Sequence, residues 1–261
     1  MLQRLFRTTL LCALLALPLQ AAAQDYTDIW YLPAESGWGV NLIQNEDVIF
    51  ATFFVYGATD QPTWFVAIMN RDVNGNFSGN LYTTVGPYYG GPWSPASYAP
   101  TLAGSASFFP SSAYQGTLTY TVSGTTVTKN IQRQTLRTIL LNANYTGGQS
   151  GSYGGSNCTL SSPYKDTFGT LTVTQPGDGT VSLQFAYTSG LSCTFSGTLV
   201  QQGQLYQVPN ATYVCSDGTN TGASMDQVKA TAQGIEGTFL VASGSGGGAC
   251  SEAAAFSGVL Y

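Results

Sequence analysis

The chain has 261 residues, 8 basic and 13 acidic side chains, no histidine and a formal net charge of −5. Clustered Lys and Arg carry the binding of nucleic acid and of anionic membrane, so so base-poor a chain disfavours both partners. Without histidine there is no Ser-His or Cys-His nucleophile pair, and the commonest ligand of zinc and copper is missing, so neither a metal site nor a cofactor is expected.

Residues 1–23 read as a secretory signal. Arg4 and Arg7 supply the positive start, residues 10–17 the apolar stretch, and Ala21-Ala22-Ala23 a small-residue cleavage site before Gln24. Cys12 lies inside that apolar stretch and leaves with it. The expected location is secreted or periplasmic.

The stretch 30–70 is the densest apolar and aromatic part of what remains. Turn signals at 45–47 and 57–62 cut it into runs at 38–44, 48–56 and 63–70, which predicts an antiparallel meander. In the second run Val48, Phe50, Thr52, Phe54 and Tyr56 share one face, and Ile49, Ala51, Phe53 and Val55 share the other. Both faces are apolar, as in strands buried on two sides, so the other half of the chain is expected to cover the outer side. A membrane-spanning helix needs about 20 apolar residues, and Asp60-Gln61-Pro62 interrupts the stretch first. Membrane insertion is therefore not expected.

Runs at 76–84, 101–109, 115–123 and 126–135 continue the first half to about seven strands. Between the first two lies an irregular loop, 85–98, carrying Tyr88, Tyr89, Trp93 and Tyr98 among prolines. From Val73 to Thr128 the chain has no charged residue at all. The last run places Val127, Lys129, Ile131 and Arg133 on one face. If that face is inward, two cations go with it, and a buried charge needs a partner. Glu35, Asp47, Asp60 and Asp72 are the acids considered, with Glu35 the favoured partner of Lys129 or Arg133.

The second half reads as roughly eight short strands, at 167–174, 180–187, 191–201, 204–215, 223–232, 234–242 and 250–261 among others. All four tryptophans precede residue 137 and the four remaining cysteines follow it, which argues for two cores stabilised differently. The seam is expected at 142–151, separating an aromatic-rich β-domain (24–141) from a disulfide-bonded β-barrel domain (142–261). Consecutive strands of this length suit a closed meander barrel of the calycin kind. First and last strands are then neighbours, which favours Cys158 with Cys250, and adjacency of consecutive strands favours Cys193 with Cys215. The fold class is all-β, with two antiparallel meander barrel or sandwich domains.

The segments Trp30-Tyr31-Leu32-Pro33-Ala34-Glu35-Ser36-Gly37-Trp38-Gly39, Pro62-Thr63-Trp64, Phe77-Ser78-Gly79 and Lys129-Asn130-Ile131-Gln132-Arg133-Gln134 together resemble a domain found in many exported bacterial proteins of unassigned function. The resemblance covers about residues 28–136, and the cysteine-bearing half looks like a companion domain. It implies export and β-structure and transfers no catalytic residue.

Motif chemistry adds little. Ser162-Pro163-Tyr164-Lys165 matches the Ser-x-x-Lys pattern of serine acylases, but that pattern needs a helix, which Pro163 opposes. Asp217-Gly218-Thr219 begins like a calcium loop, yet the twelfth position falls on Val228. The aromatic loop either stacks on a glycan or ligand or plugs the end of the first domain. The expected function is non-catalytic binding of a neutral glycan, a small apolar ligand or another exported protein. The alternatives are a glycoside hydrolase using Glu35 and Asp60, or a structural or protease-inhibitor-like module.

Overall fold

The computed structural model describes residues 24–155, 158–243 and 250–261. The export signal read at 1–23 lies outside the described residues. The described chain is all-β, without an α-helix, and forms two closed antiparallel barrels of eight strands each.

The first barrel comprises β1 (Asp28–Tyr31), β2 (Gly39–Asn45), β3 (Val48–Tyr56), β4 (Pro62–Arg71), β5 (Phe77–Val85), β6 (Ala99–Pro110), β7 (Gln115–Val122) and β8 (Thr125–Arg133). Each strand pairs with its predecessor, and β1 pairs with β8 through Trp30 opposite Arg133. The sequence suggested about seven strands. The one it missed is β1, whose four residues stop at Pro33 before any alternation can show. Inside the barrel, Trp30, Leu42, Ile49, Phe53, Phe77 and Phe108 are fully buried.

Two apolar faces on β3 and β4 suggested a covering layer, and the described residues supply none. Phe54 is 57% exposed and Trp64 48%, and Phe50, Tyr56 and Ile68 are also exposed. The reason is where the second barrel sits. It meets the first at the end where β1 begins and β8 finishes, not across the outer face of β3 and β4. Around the circumference, β7 and β8 show water a ladder of hydroxyls and amides instead: Thr119 with Thr128 (3.1 Å), Thr121 with Thr126 (2.8 Å) and Thr117 with Asn130 (3.0 Å).

The second barrel comprises β9 (Ala143–Gly154), β10 (Tyr164–Thr174), β11 (Thr180–Tyr187), β12 (Ser192–Thr198), β13 (Val200–Gln202), β14 (Leu205–Cys215), β15 (Asn220–Ala230), β16 (Gly234–Val241) and β17 (Ser251–Leu260). The short β13 prolongs β12 along the same side of β14, so the β12–β14 pairing and the β9–β17 pairing close the ring. The core is a cluster of rings, with Phe185 in contact with Phe168, Phe195, Phe239 and Phe256 at centroid distances of 5.2 to 6.3 Å. Cys158 bonds to Cys250 and Cys193 to Cys215.

The seam expected at 142–151 is instead the central strand β9. Its glycines suggested a linker, but they serve close packing: a Cβ on Gly147 would lie 2.0 Å from the Ser257 carbonyl oxygen, and one on Gly151 2.4 Å from that of Ala253. The connection between barrels is residues 134–142, and it is tied down. Gln134 N–H donates to the Ile29 carbonyl (2.8 Å), Ile139 N–H to the Tyr206 hydroxyl (2.8 Å), and Leu141 is buried in the second core.

Arg133 is 2% exposed, and it holds the junction. Its Nη1 lies 3.0 Å from Asp28 Oδ2 and its Nε donates to the Ala113 carbonyl at 2.7 Å. Further bonds reach the carbonyls of Thr27 and Asp25, and the guanidinium lies 5.0 Å from the Trp30 ring centroid. The same Asp28 Oδ2 accepts the Gln204 N–H of the second barrel at 3.1 Å. Beside it Tyr114, from the β6–β7 turn, donates to the Asp226 carboxylate and accepts the Gln227 N–H (3.0 Å) in an irregularity of β15. The partner of the buried cation is thus Asp28, an acid outside the four considered from sequence.

Asp28→Ala should lower stability by about 3–5 kcal/mol, because it leaves the guanidinium buried without its counter-charge. Gly203→Ala should act on the same junction from the second barrel. Its φ is +64°, and a Cβ there would sit 2.2 Å from Asp28 Oδ2. Chemical denaturation of both variants checks this; an Asp28→Ala midpoint equal to the parent's would mean the pair does not hold the junction.

Candidate functional site

Two places in the molecule have the composition of a site. The first is the outer face of the first barrel. Antiparallel pairing sets Phe54 opposite Trp64, Phe50 opposite Ile68, Ile43 opposite Phe50 and Tyr82 opposite Leu102. Side chains of directly opposite residues touch on one face, so these form a continuous aromatic and aliphatic surface. The loop 86–98 lies between the end of β5 and the start of β6, at the same end as Tyr56. Tyr88, Tyr89, Trp93 and Tyr98 are all exposed, Tyr89 at 94%, so the loop does not plug the barrel as one expectation had it. Tyr88 and Tyr89 lean together with centroids 4.7 Å apart.

The same mouth holds the Glu35 group, where the Tyr56 hydroxyl donates to the Gly37 carbonyl at 3.0 Å. Lys129 Nζ lies 2.7 Å from Glu35 Oε2, and the Trp38 indole N–H donates to the same carboxylate at 3.1 Å. The pair was expected to be buried; Glu35 is exposed, because the 3₁₀ turn Pro33–Glu35 carries it above the barrel rather than into it. The hydrogen bond from Lys129 is the main cause holding this carboxyl below its usual range. A glycosidase general acid needs the reverse, a carboxyl kept protonated by its surroundings. Asp60 is exposed in the β3–β4 turn with φ +61°. The Ser162 to Lys165 motif runs through a turn into strand β10, and Asp217 closes a turn by accepting the Thr219 N–H at 2.9 Å.

The second place is inside one end of the second barrel, and sequence reasoning missed it. Glu252 on β17 points inward in line with Ala254 and Phe256. Tyr164 donates its hydroxyl to Glu252 Oε1, and Gln149 Nε2 reaches the same oxygen at 3.3 Å. Gln149 Oε1 accepts the Tyr187 hydroxyl at 2.8 Å, and the Tyr153 ring stacks on Tyr164 with centroids 4.6 Å apart. A cavity of about 160 Å³ opens beside this network, lined among others by Tyr153, Tyr213, Asp217 and Glu252. Burial is the main cause pushing the Glu252 carboxyl above its usual range, with the Asp166 charge adding to it and the Tyr164 hydrogen bond opposing it. Burial likewise pushes Tyr153 up to about 12. Among the described residues no salt bridge reaches Glu252, and no group of three or more His, Cys, Asp or Glu side chains is placed to hold a metal ion.

A wider cleft of about 630 Å³ lies between the barrels, with Asp25, Thr27 and Arg133 on one side and Lys165, Lys229 and Glu236 on the other. Its charges are mixed in sign. Comparison of the chain with protein-family models, with curated proteins and with solved structures finds no match.

A raised folded-state value means the native protein holds the Glu252 proton more tightly than the unfolded chain does. Its contribution is therefore favourable below the ordinary glutamate range and is lost as pH rises through the raised value. Glu252→Gln keeps an oxygen for Tyr164 and removes the charge. Its melting temperature should match the parent's near pH 4 and exceed it at pH 7 to 8. A difference that does not change with pH would mean that folding does not raise the Glu252 carboxyl above its unfolded range.

Proposed function

We propose that this protein is a non-catalytic binding protein of an oxidising, extracellular compartment, and that the outer face of the first barrel, with the loop 86–98, is its docking surface. The observation that carries the reading is the uncharged, exposed aromatic surface formed by Phe50, Phe54, Tyr56, Trp64 and Ile68. Two disulfides fit the compartment.

The occupant is a second copy of the chain. Large exposed apolar patches mark interaction sites, and the centres of protein interfaces are rich in aromatics and poor in charge. A fully buried aromatic side chain hides about 150–250 Å², so half-exposed ones leave on the order of 100 Å² each to cover. The face and loop together approach the roughly 800 Å² per partner of a standard interface. The chain is net acidic, and like charges keep copies apart. The segment 73–128, which supplies β5, β6, β7 and the loop, carries none of that charge. A closed barrel has no free edge strand, which leaves face-to-face packing as the route to pairing.

A second reading, a neutral glycan stacked on the loop, is favoured by the high exposure of Tyr88, Tyr89 and Trp93 among glycine and serine. Sedimentation velocity separates the two. The chain should dimerise at concentrations up to about 100 µM, and Phe54→Asp with Trp64→Asp should make it monomeric while leaving its melting temperature nearly unchanged. A parent that stays monomeric rejects self-docking. Retardation in neutral-polysaccharide gels that disappears in Tyr89→Ala and Trp93→Ala would put the glycan in its place.

A further inference from the structure

We propose that the cavity at the Glu252 end of the second barrel binds a small organic cation, an ammonium head group on a short chain. The site lies on the other barrel from the docking surface and does not depend on it.

The lining decides the sign of the ligand. Glu252 and Asp217 are its charged groups, the rings of Tyr153 and Tyr213 stand beside them, and Leu160, Leu191 and Val241 complete the apolar wall. Among the described residues no Lys or Arg lines the cavity. The hydrogen bonds to Glu252 from described residues all reach Oε1, from Tyr164 and from Gln149. Oε2 receives none, and it is not sealed in the core, because the only buried side-chain polar atom without a partner among the described residues is Gln202 Oε1. One carboxylate oxygen is therefore fixed by the barrel, while the other has no donor among the described residues at the wall of a cavity.

An anion there would meet two carboxylates. A neutral ligand would leave Glu252 charged and uncompensated in partly buried surroundings, which is costly. A cation meets the carboxylate directly and lies against ring faces, which attract positive charge more strongly once water is excluded. A metal ion is a poorer match. The lining offers two carboxylates, and neither histidine nor a thiolate is present, since Cys215 and Cys250 are in disulfides. The volume, about 160 Å³, is that of a few water molecules at roughly 30 Å³ each, so the ligand is an amine of a few heavy atoms rather than a peptide.

The test uses the full exported chain and three probes: choline, n-propylammonium, and 3,3-dimethylbutan-1-ol, which has the shape of choline without its charge. Calorimetric titration at pH 8 should show binding of at least one of the two ammonium probes and at least tenfold weaker binding of the alcohol. Glu252→Gln should abolish ammonium binding while the protein stays folded by circular dichroism. Tyr213→Leu should weaken it several-fold, which reports the ring contribution separately from the charge. The inference is overturned if neither ammonium probe binds at millimolar concentration, if the alcohol binds as well as choline, or if Glu252→Gln binds like the parent. Loss of dimerisation in the face variants leaves this result untouched, so failure of either proposal is read independently.

Discussion

A guanidinium buried at 2% exposure cannot be left unpaired, and meeting the needs of Arg133 fixes more of this molecule than any other single requirement. Its donors reach Asp28, Thr27, Asp25 and Ala113, so β1, the segment before it and the turn between β6 and β7 are all positioned by one side chain. Asp28 then spends its second function on Gln204 of the other barrel. Apolar surfaces slide past one another with little penalty, whereas directed bonds to a buried charge are satisfied in one arrangement. The junction therefore acts as a register pin between the barrels. Its value lies in uniqueness more than in net stability, since a well-packed apolar replacement of a buried ion pair is often no less stable.

The first barrel is two-sided on its outside. Hydroxyls on β7 and β8 satisfy one another and water, while β3 and β4 present rings. An eight-stranded ring fills its own interior with side chains, so the second apolar face of a strand has nowhere to go within that barrel. Something beyond the barrel has to cover it or it stays wet. The second barrel is committed elsewhere by Arg133, which is why the rings of Phe54 and Trp64 remain exposed.

Much of the fold was legible in the sequence. Alternation and turn signals placed β3 and β11 at their observed bounds, and the inward run through Ile131 to Arg133 was readable from period two alone. What failed did so for identifiable reasons. Strand β1 is too short to show a period, and the glycines of β9 look like a linker until the neighbouring β17 backbone is seen at contact distance. The partner of Arg133 was missed because Asp28 is hidden inside an aromatic run and becomes adjacent only when β1 meets β8. At the candidate cation site the signal was present and unused. Glu252, Ala254 and Phe256 alternate on one face, so an acid stood in line with core positions. The tyrosines around it come from four other strands, and no linear reading assembles them.

In a meander barrel nearly every strand pairs with the one made just before it, and only the closing seam joins distant parts of the chain. Here each distant seam carries a strong bond, an ion pair in the first barrel and a disulfide in the second. Arg133 to Asp28 links β8 to β1 across 105 residues, and Cys158 to Cys250 joins the flanks of β9 and β17 across 92. Local hairpins form early and long loops close late, because the entropy of closure must be met before the contact rewards it. As the chain is synthesised, the first ring stays an open ribbon until residue 133 exists, with β1 unpaired on its β8 side and the aromatic outer face already formed. The interval before closure is when strand edge and rings are exposed together, and it ends when one arginine is folded in.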